Sequence, residues 1–352
     1  MSKKTIIFTG GGTLGPVMPL LAVVDELKDS GYNLVWVGTR KGVEGEIIRQ
    51  KGLAFHSLPV FKLPRYVSLE WIIGPLKLLW IIPKCFWLCL KYRPAVVVSA
   101  GGFSGVWLSW VAKMFGSKIL LHQQDIRPSL SNVLVKPIAN AITVAFEESK
   151  MFFGGNALVI GNPVRKEAEK YIGYDSRVAK QSFGFDPDKP LLLVLGGGTG
   201  AESLNKLVTS CLGELLSFSQ VFHCTGKGKM IGEERKGYKA VGFLIGEEMF
   251  MAMATADLVV SRAGLSTLTE LACLKKAVIV VPIPNSQQEE NAKYIVDRQA
   301  GVMLDETKFV MMARELLENI EKRNRLGENL HRLFKEGARE RLTDVIEELA
   351  EK

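Results

Sequence analysis

Twice along the chain, a short apolar strand pattern leads into a glycine-rich loop and then into a helical pattern. Thr5–Thr9 precedes the loop Gly10-Gly-Gly-Thr-Leu-Gly15, and Leu191–Leu195 precedes Gly196-Gly-Gly-Thr-Gly200. Glycine lets the backbone come close to a phosphate, and the N-terminus of the following helix offers unpaired N–H groups and a partial positive charge. A tight strand-to-helix turn needs glycine as well. Each loop taken alone therefore predicts either an anion site or a plain turn.

Other apolar runs alternate with helical patterns along the whole chain. They occupy residues 33–38, 95–99, 118–122, 157–160, 221–224, 258–261 and 277–282. This alternation predicts an α/β fold with parallel, doubly wound sheets. A chain of 352 residues exceeds what one hydrophobic core usually supports, and the pattern restarts at Pro190. We therefore expect two Rossmann-like domains.

The domain boundary is predicted from turn-forming residues. Gly161-Asn-Pro-Val-Arg165 follows the apolar run 157–160, and consecutive Gly, Asn and Pro are typical of a turn. The predicted domains are residues 1–163 and 164–334. The last segment, 335–352, has the pattern of an amphipathic helix. Its spacing does not identify the domain on which it packs, and the first domain is one candidate.

The positive charge of the chain limits the classes of partner that it is expected to bind. A formal net charge of +8 and a pI near 9.1 suit nucleic acid, an anionic membrane surface or phosphorylated substrates. The densest basic segment, 321–339, is mixed with glutamates and lacks interleaved aromatic residues, so we expect a solvated helix face and no nucleic acid.

The five cysteines form neither a C-x-x-C pair nor a group with histidines. We expect reduced thiols, no metal, and a cytoplasmic protein without a signal peptide.

Residues 67–90 form the most apolar segment, with about the length of a membrane span. Charges interrupt this segment, and prolines are expected to break it; these residues are Glu70, Lys77, Lys84, Pro75 and Pro83. Three tryptophans favour a bilayer interface, and nearby basic residues suit anionic lipid: Lys62, Arg65, Lys91 and Arg93. We predict an exposed patch that docks on an anionic inner-membrane surface. A buried helix pair and a transmembrane helix are the alternatives.

The most specific sequence lies in the second half. A strand pattern leads to Gly264, after which Ser266 and Thr267 open a helix, and Glu270 lies one turn further on. In this geometry, backbone N–H groups and hydroxyls can meet a diphosphate while the carboxylate accepts from ribose hydroxyls. A capping box, in which Glu270 pairs with Thr267, explains the same spacing equally well.

No cofactor is predicted. A dinucleotide-binding fold usually has an acidic residue at the end of its second strand, where it binds the ribose. Here that strand ends Val37-Gly-Thr-Arg40. The absence of an acidic residue disfavours NAD, and the arginine leaves NADP formally open. Asp186-Pro-Asp188 has the D-x-D pattern of metal-dependent transferases, yet it lies where a turn is expected. His122 ends a buried strand pattern, so a core role is favoured over catalysis.

Taken together, the motifs resemble the MurG family, within glycosyltransferase family 28. They are, in order, Gly11-Gly-Thr-x-Gly15, Ser99-Ala-Gly-Gly-Phe103, Leu121-His-Gln-Gln124 with Asn132, Gly161-Asn-Pro-Val-Arg165, Gly196-Gly-x-x-Gly200, 261–270 and 281–292. The resemblance covers nearly the whole chain. It implies a GT-B fold, with two Rossmann-like domains that face a cleft.

The same resemblance implies an activity. The reaction is an inverting, metal-independent transfer of GlcNAc from UDP-GlcNAc to undecaprenyl-pyrophosphoryl-MurNAc-pentapeptide, a lipid-linked muramyl-pentapeptide. The implied location is peripheral, at the cytoplasmic face of the cell membrane, with wall-synthesis proteins as candidate partners.

Residue roles follow from the resemblance as well. It places Arg165 near the donor diphosphate and Glu270 on the uridine ribose. The implied substrate-binding residues are Thr13, Gly15, Asn132, Arg165, Gly198, Thr199, Phe243, Ile245, Gly264, Ser266, Thr267, Glu270, Gln287 and Gln288. Among them, Phe243 stands at the uracil pocket, and Gln287 and Gln288 contact the sugar hydroxyls. Gly198 and Thr199 replace a Ser-Gln pair of the family, which removes an amide from the second loop.

Two departures from the family pattern bear on catalysis. Pro16 stands where the family has histidine, and Leu14 where it has glycine. Proline supplies no base, and both changes should stiffen the loop. Asp125 stands where the family commonly has asparagine, and we hypothesise that Asp125 is the catalytic base that takes the proton from the acceptor hydroxyl. A cap for a helix beginning near Pro128 is an equal alternative.

Other functions share this architecture. Another glycolipid glycosyltransferase and a UDP-GlcNAc 2-epimerase are the alternatives among enzymes, although a soluble sugar nucleotide would not need the apolar segment 67–90. Because Pro16 replaces the family histidine, a non-catalytic protein that binds the UDP-sugar or the lipid intermediate is a further alternative. Binding without turnover would distinguish this last case.

Overall fold

A computed structural model describes residues 3–40, 42, 44–59, 70–197, 201–226, 228 and 235–352, with side chains in the helix over 70–92 described from residue 78. Five residues named above, Lys62, Arg65, Gly198, Thr199 and Gly200, lie outside these ranges. The chain divides into two compact units. Unit 1 comprises Met1–Pro163 and Lys335–Lys352, and unit 2 is Val164–Phe334.

Unit 1 is built on a seven-stranded parallel sheet in the order β3-β2-β1-β4-β5-β6-β7. Its strands are β1 (Thr5–Thr9), β2 (Asn33–Thr39), β3 (Ala54–Leu58), β4 (Pro94–Ser99), β5 (Lys118–Gln123), β6 (Ala141–Val144) and β7 (Leu158–Val159). The strand order reverses between β1 and β4. Such a reversal opens a crevice at the carboxyl ends of the two strands.

Helices cover both faces of this sheet. They are α1 (Met18–Leu27), α2 (Glu44–Gln50), α3 (Glu70–Tyr92), α4 (Phe103–Met114) and α5 (Leu130–Val135). Because successive side chains of a strand point to opposite faces, Ile7 packs with Val35 and Val97 in the core that includes α3 and α4. Ile6 and Phe8 pack on the other face, in the core that includes α1. Burial of such side chains contributes about 1.5–3 kcal/mol each.

From Glu70 onward, the apolar segment forms one continuous helix, α3, although it contains Pro75 and Pro83. The breaks expected at these prolines are therefore wrong, and so is a buried helix pair. Ile81, Cys85 and Leu88 lie on the inner face of α3 and are fully buried in the core of unit 1. This burial outweighs the roughly 3 kcal/mol that an interior proline costs. Within the described ranges, no helix is both long and apolar enough to cross a membrane.

Unit 2 contains a six-stranded parallel sheet in the order β10-β9-β8-β11-β12-β13. Its strands are β8 (Leu191–Leu195), β9 (Gln220–Cys224), β10 (Tyr238–Val241), β11 (Leu258–Ser261), β12 (Val278–Val280) and β13 (Val302–Met303). Its helices are α6 (Ser176–Ser182), α7 (Glu202–Ser210), α8 (Leu212–Leu216), α9 (Glu247–Thr255), α10 (Leu265–Cys273), α11 (Gln287–Asp297), α12 (Phe309–Glu318) and α13 (Ile320–Leu333). The order reverses between β8 and β11, which gives this unit a crevice of its own.

The C-terminal helix α14 (Ala338–Glu351) belongs to unit 1. Leu342 and Ile346 are fully buried in the core that contains α1. An ion pair joins Arg339 Nε to Glu26 Oε1, on α1, at 2.8 Å. Apolar burial and this ion pair together attach the end of the chain to the first sheet.

Gly161, in the boundary motif, lies against α14 and the segment that leads into it. Arg341 donates from Nε and Nη2 to the Ile160 carbonyl oxygen, at 3.2 and 2.7 Å. Gly161 has a φ of +89°, and a Cβ there would lie 2.7 Å from the Lys335 carbonyl oxygen. Both the dihedral angle and the close approach require glycine.

Gly161→Ala is expected to destabilise unit 1 by about 2–3 kcal/mol, because the methyl group adds a backbone clash to the strain of a positive φ. Gly154→Ala is the matched control. Its φ is +76°, but nothing lies within 4 Å of its Cβ position, so only the strain of about 1 kcal/mol applies. Urea unfolding measures both variants, and equal losses would contradict the close approach.

Candidate functional site

The loops that follow β1 and β4 border the crevice of unit 1. A Cβ on Gly102 would lie 3.1 Å from the Gly11 carbonyl oxygen, so the two loops touch. Gly102 has a φ of +90°, and its amide donates to Ser131 Oγ at 3.1 Å. The contact occurs where the strand order reverses, which is where open α/β sheets bind ligands.

Asn132 and Gln123 form a buried amide pair at the carboxyl end of β5. Asn132 Nδ2 donates to Gln123 Oε1, and Gln123 Nε2 donates to the Asp125 carbonyl oxygen, both at 2.6 Å. Among the described residues, Asn132 Oδ1 has no hydrogen-bond partner. A buried acceptor left in this state costs about 1–3 kcal/mol. The structure therefore links two predicted site residues, Asn132 and Asp125, through Gln123, for which no role was predicted from the sequence.

The alternative that Asp125 caps the following helix is wrong. α5 begins at Leu130, and its N-cap residue is Ser129. A capping side chain reaches amides only two or three residues further along, so Asp125 lies too far ahead. Asp125 is half-buried, and its catalytic role stays a prediction.

Thr13 and Gly15 lie in the first glycine loop. Thr13 is exposed. A Cβ on Gly15 would be 3.7 Å from Thr13 Oγ1 and 3.5 Å from Gln124 Nε2, so the loop passes close to the end of β5. The Leu14 carbonyl oxygen accepts from the amides of two residues that follow it, Val17 and Met18, each at 3.0 Å. The loop therefore leads directly into α1 in spite of Leu14 and Pro16.

In unit 2, α10 begins at the carboxyl end of β11, beside the crevice. Gly264 is its N-cap residue, and the half-buried Ser266 and Thr267 lie in its first turn. Gln288 lies beside this turn, since a Cβ on Gly264 would be 3.7 Å from Gln288 Nε2. Gln288 Oε1 accepts from the Ile283 amide at 3.2 Å. A helix N-terminus with neighbouring hydroxyls suits an anion.

Glu270, on α10, forms a buried ion pair with Arg165. Arg165 donates from Nε and Nη2 to Glu270 Oε1, at 3.2 and 2.8 Å, and each side chain is only 8% exposed. The guanidinium carbon lies 4.4 Å from the ring centroid of Phe250, which adds a cation–π contact. Thr267 lies inside the helix rather than at its N-cap. The capping box is therefore wrong, and the partner of Glu270 is Arg165.

Two further residues, for which no role was predicted from the sequence, fix the loop between β11 and α10. Arg262 Nη1 donates to the carbonyl oxygens of Val281 and the residue after it, and Nη2 donates to Ser203 Oγ at 3.1 Å. Asn291, fully buried, donates from Nδ2 to the Ala263 carbonyl oxygen at 3.1 Å. Arg262 lies within the motif 261–270 and Asn291 within the motif 281–292. These positions are the sequence feature that could have identified them as site residues.

The remaining predicted donor residues occupy separate segments. Phe243 and Ile245 are half-buried in the connection from β10 to α9, and Gln287 is the first residue of α11. Gly198 and Thr199 fall outside the described residues. The roles of all five stay predictions.

Buried histidines and cysteines are part of the core. His122 is fully buried and hydrogen-bonds to Asn162 Oδ1 at 3.3 Å, and burial lowers its pKa to about 4. Burial likewise lowers the pKa of His223 to about 4. The pKa of the Cys224 thiol is raised by burial to about 12, so this thiol stays protonated and unreactive. In the described part of the chain, no group of three or more His, Cys, Asp or Glu residues could hold a metal ion.

Arg165→Met is expected to destabilise unit 2 by about 3–5 kcal/mol, because the Glu270 carboxylate would be buried without its partner. Adding Glu270→Gln should recover part of the loss, since a neutral amide costs less to bury. Lys206→Met is the matched control, because the pair of Lys206 with Glu202 is 74% and 70% exposed; this variant should unfold like the wild type. Denaturant unfolding gives the coupling free energy. Strictly additive losses in the double variant would argue against the ion pair.

Family comparisons match each half of the chain. The Glycosyltransferase family 28 N-terminal domain matches residues 6–144, and the Glycosyltransferase family 28 C-terminal domain matches residues 191–349. A UDP-N-acetylglucosamine–N-acetylmuramyl-(pentapeptide) pyrophosphoryl-undecaprenol N-acetylglucosamine transferase of Clostridium kluyveri is 37% identical over 80% of this chain and 79% of its own length. The protein of the same name from Legionella pneumophila strain Lens is 32% identical over 99% of this chain and 98% of its own length.

Solved structures agree in fold. Acinetobacter baumannii MurG has a TM-score of 0.70 and 21% identity, over 98% of this chain and 99% of that one. The UDP-GlcNAc 2-epimerase of Neisseria meningitidis, bound to UDP-GlcNAc, has a TM-score of 0.66 and 13% identity, over 98% of this chain and 100% of that one. Because transferase and epimerase share the GT-B fold, the fold leaves the family open. The sequence relatives and both matched domains show that this chain belongs to glycosyltransferase family 28 and, within it, to the MurG family.

Proposed function

We propose that the protein transfers N-acetylglucosamine from UDP-GlcNAc to undecaprenyl-pyrophosphoryl-MurNAc-pentapeptide, with inversion to a β-1,4 linkage. The observation that carries the proposal is 32–37% identity, over 80–99% of the chain, to transferases whose names describe this substrate pair. The Glu270 carboxylate, held by Arg165 in unit 2, supports it separately, because such a group suits the hydroxyls of a ribose.

In this proposal, unit 2 binds the donor. Ser266 and Thr267, with the backbone N–H groups at the start of α10, meet the diphosphate. Glu270 accepts from the uridine ribose through Oε2, while Arg165 holds Oε1 and so sets the direction of the carboxylate. Gln288 reaches the sugar hydroxyls. Arg165 therefore acts on the donor through Glu270. The N-terminus of α10, rather than Arg165, makes the contact with the diphosphate.

The other donor contacts are proposed from the family resemblance. Phe243 and Ile245 receive the uracil, and Gln287 joins in binding the sugar. The second glycine loop, with Gly198 and Thr199, lies near the diphosphate. Thr199 retains one hydroxyl where the family has Ser-Gln, so we expect fewer side-chain contacts there.

Unit 1 binds the acceptor in the crevice between β1 and β4, near Thr13, Gly15 and Asn132. Asn132 Oδ1, without a partner in the described part of the chain, suits a sugar hydroxyl. The acceptor hydroxyl oxygen attacks the anomeric carbon of the donor. The bond from that carbon to the UDP oxygen breaks, and Asp125 takes the hydroxyl proton. The N-terminus of α10 stabilises the negative charge that develops on UDP, a role that needs no metal.

Exposed apolar side chains on unit 1 support docking on a membrane; the cytoplasmic face is proposed from the family resemblance. On the outer face of α3, Leu79 is 69% exposed and Trp80 is 77% exposed. Further large apolar side chains are exposed on α4, which packs on α3, and on α5, which packs on α4; they are Trp110, Met114, Leu130 and Val133. Exposed apolar patches of this kind mark interaction sites. Lys91 lies over the Trp87 ring at 4.8 Å and adds positive charge next to an interfacial side chain.

Purified protein is expected to release UDP from UDP-GlcNAc only when a lipid-linked muramyl-pentapeptide is present, and to do so in EDTA. Asp125→Asn should lower the rate about 10²–10³-fold, because proton transfer in the transition state is lost. Asp186→Asn is the matched control and should stay within about twofold, since Asp186 Oδ1 only accepts from the Asp188 amide in a turn.

Three results would contradict parts of this proposal. Conversion of UDP-GlcNAc without acceptor favours an epimerase. Saturable donor binding without turnover favours a non-catalytic binding protein, the alternative raised by Pro16. An Asp125→Asn rate within a few-fold of the wild type excludes Asp125 as the base.

Wall-synthesis proteins are proposed as further partners from the family resemblance alone.

Trp80→Glu is expected to weaken binding to vesicles of phosphatidylethanolamine and phosphatidylglycerol at least about tenfold, because it puts a charge on the apolar surface. Ile320→Glu, at another exposed apolar residue on α13, is the control and should bind like the wild type. Vesicle sedimentation measures both. Equal binding by Trp80→Glu and the wild type would rule out docking through α3.

A further inference from the structure

One aromatic ring packs against the buried ion pair of unit 2. Phe250, on α9, is fully buried. The guanidinium carbon of Arg165 lies 4.4 Å from the centroid of this ring, while Nε and Nη2 donate to Glu270 Oε1. The N–H groups of a guanidinium lie in its plane, and its flat faces pack well on an aromatic ring. Phe250 therefore contacts the arginine without competing for the N–H groups that hold Glu270.

The turn that carries Arg165 contacts the same ring at its other end. Arg165 precedes the 3₁₀-helix Lys166–Tyr171, and its carbonyl oxygen accepts from the Ala168 amide at 3.0 Å. Tyr171 stacks on Phe250, with ring centroids 6.5 Å apart and an angle of 26° between the ring planes. Such a distance lies in the normal range for an aromatic pair. Phe250 thus contacts both ends of this turn.

The ring also affects the direction of the carboxylate. Arg165 donates twice to one oxygen, Oε1, so the plane of the guanidinium fixes that oxygen. The second oxygen, Oε2, is bonded to the same carbon and turns with the first. An arginine side chain has several rotatable bonds, and without the ring its guanidinium could tilt. The direction of the Glu270 carboxylate therefore depends on Phe250.

The helix that carries Phe250 also follows a second predicted donor contact. Phe243 and Ile245, which the proposed function assigns to the uracil, lie in the connection that leads into α9. Lys170 Nζ pairs with Glu247 Oε1, at the start of α9, at 2.5 Å, but both side chains are more than half exposed. An exposed pair contributes little. Phe250 is therefore the main link between α9 and the turn that carries Arg165.

We infer that Phe250 is a positioning residue for recognition of the donor ribose. It holds the Arg165 guanidinium, which directs the Glu270 carboxylate at the ribose hydroxyls. The inference rests on the proposed function, because that function places the uridine ribose on Glu270. Its consequence is specific: loss of the ring lowers the discrimination between nucleotides with and without ribose hydroxyls, and leaves the affinity for the rest of the nucleotide nearly unchanged.

Binding of UDP and of 2′,3′-dideoxy-UDP tests this role without turnover. We expect the wild type to bind UDP at least about tenfold more tightly, because the analogue lacks the hydroxyls that the carboxylate binds. Phe250→Leu keeps an apolar side chain but removes the ring. It should reduce the ratio of the two Kd values to about threefold or less, with the Kd of the analogue within about twofold of the wild type, because the carboxylate is no longer held in one direction. Isothermal titration calorimetry measures each Kd.

Two further variants separate positioning from a general loss of packing. Phe309→Leu removes a ring from another buried site of unit 2, on α12, and should keep the ratio of the wild type. Tyr171→Leu removes the half-buried ring that stacks on Phe250, and should lower the ratio about twofold or more. It tests the same contacts if Phe250→Leu does not fold. An equal loss in Phe309→Leu and Phe250→Leu would overturn the inference.

The same titrations distinguish failure of the inference from failure of the proposed function. A wild type that binds neither nucleotide, or both equally, would overturn the assignment of the ribose to Glu270, and the inference with it. A wild type that prefers UDP, together with Phe250→Leu and Tyr171→Leu variants that keep the full preference, would overturn the inference alone.

Discussion

Both candidate sites depend on the reversal of strand order in a parallel sheet. In each unit, connections from two neighbouring central strands leave in opposite directions, so no helix covers the carboxyl ends of those strands. The exposed backbone there must satisfy its own hydrogen bonds. In unit 1, the Gly102 amide does so by donating to Ser131 Oγ. In unit 2, the chain turns at once into a helix at Gly264, whose carbonyl oxygen accepts from the Leu268 amide.

Each crevice is then organised around a buried carboxylate, in two different ways. Glu44 is closed off, because one oxygen takes three donors and glycines enclose the group. Glu270 is paired with Arg165 through Oε1, which compensates the charge of the carboxylate. Burying a carboxylate without such partners would be strongly unfavourable. The two carboxylates therefore differ in their partners: Glu44 accepts from neutral amide and hydroxyl groups, and Glu270 accepts from a cation.

Local pattern predicted the fold well, because central strands such as β1 and β8 are continuous apolar runs. Four strands were missed: β3, β6, β10 and β13. Of these, β3, β10 and β13 lie at sheet edges, where fewer side chains are buried, and β6 has only four residues, two of them half-buried, so the pattern is weak in all four. The positions of site residues that belong to motifs could be predicted from the sequence. Their partners were not: Arg165 is far from Glu270 in sequence, and Glu44 resembles an ordinary acidic residue in the first turn of a helix. Such pairings depend on tertiary structure, which periodicity does not encode.

The apolar helix α3 shows why sequence alone left three alternatives for one segment. A surface helix normally has a polar outer face, and that contrast marks it as amphipathic. Here the inner face, with Ile81 and Leu88, packs in the core, while the outer face carries Leu79 and Trp80. Both faces are apolar for different reasons, so the segment has the composition of a membrane span. Because the inner face is already buried against protein, the helix can contact lipid only through its outer face, and a bilayer that accepts this face need not displace the core of unit 1.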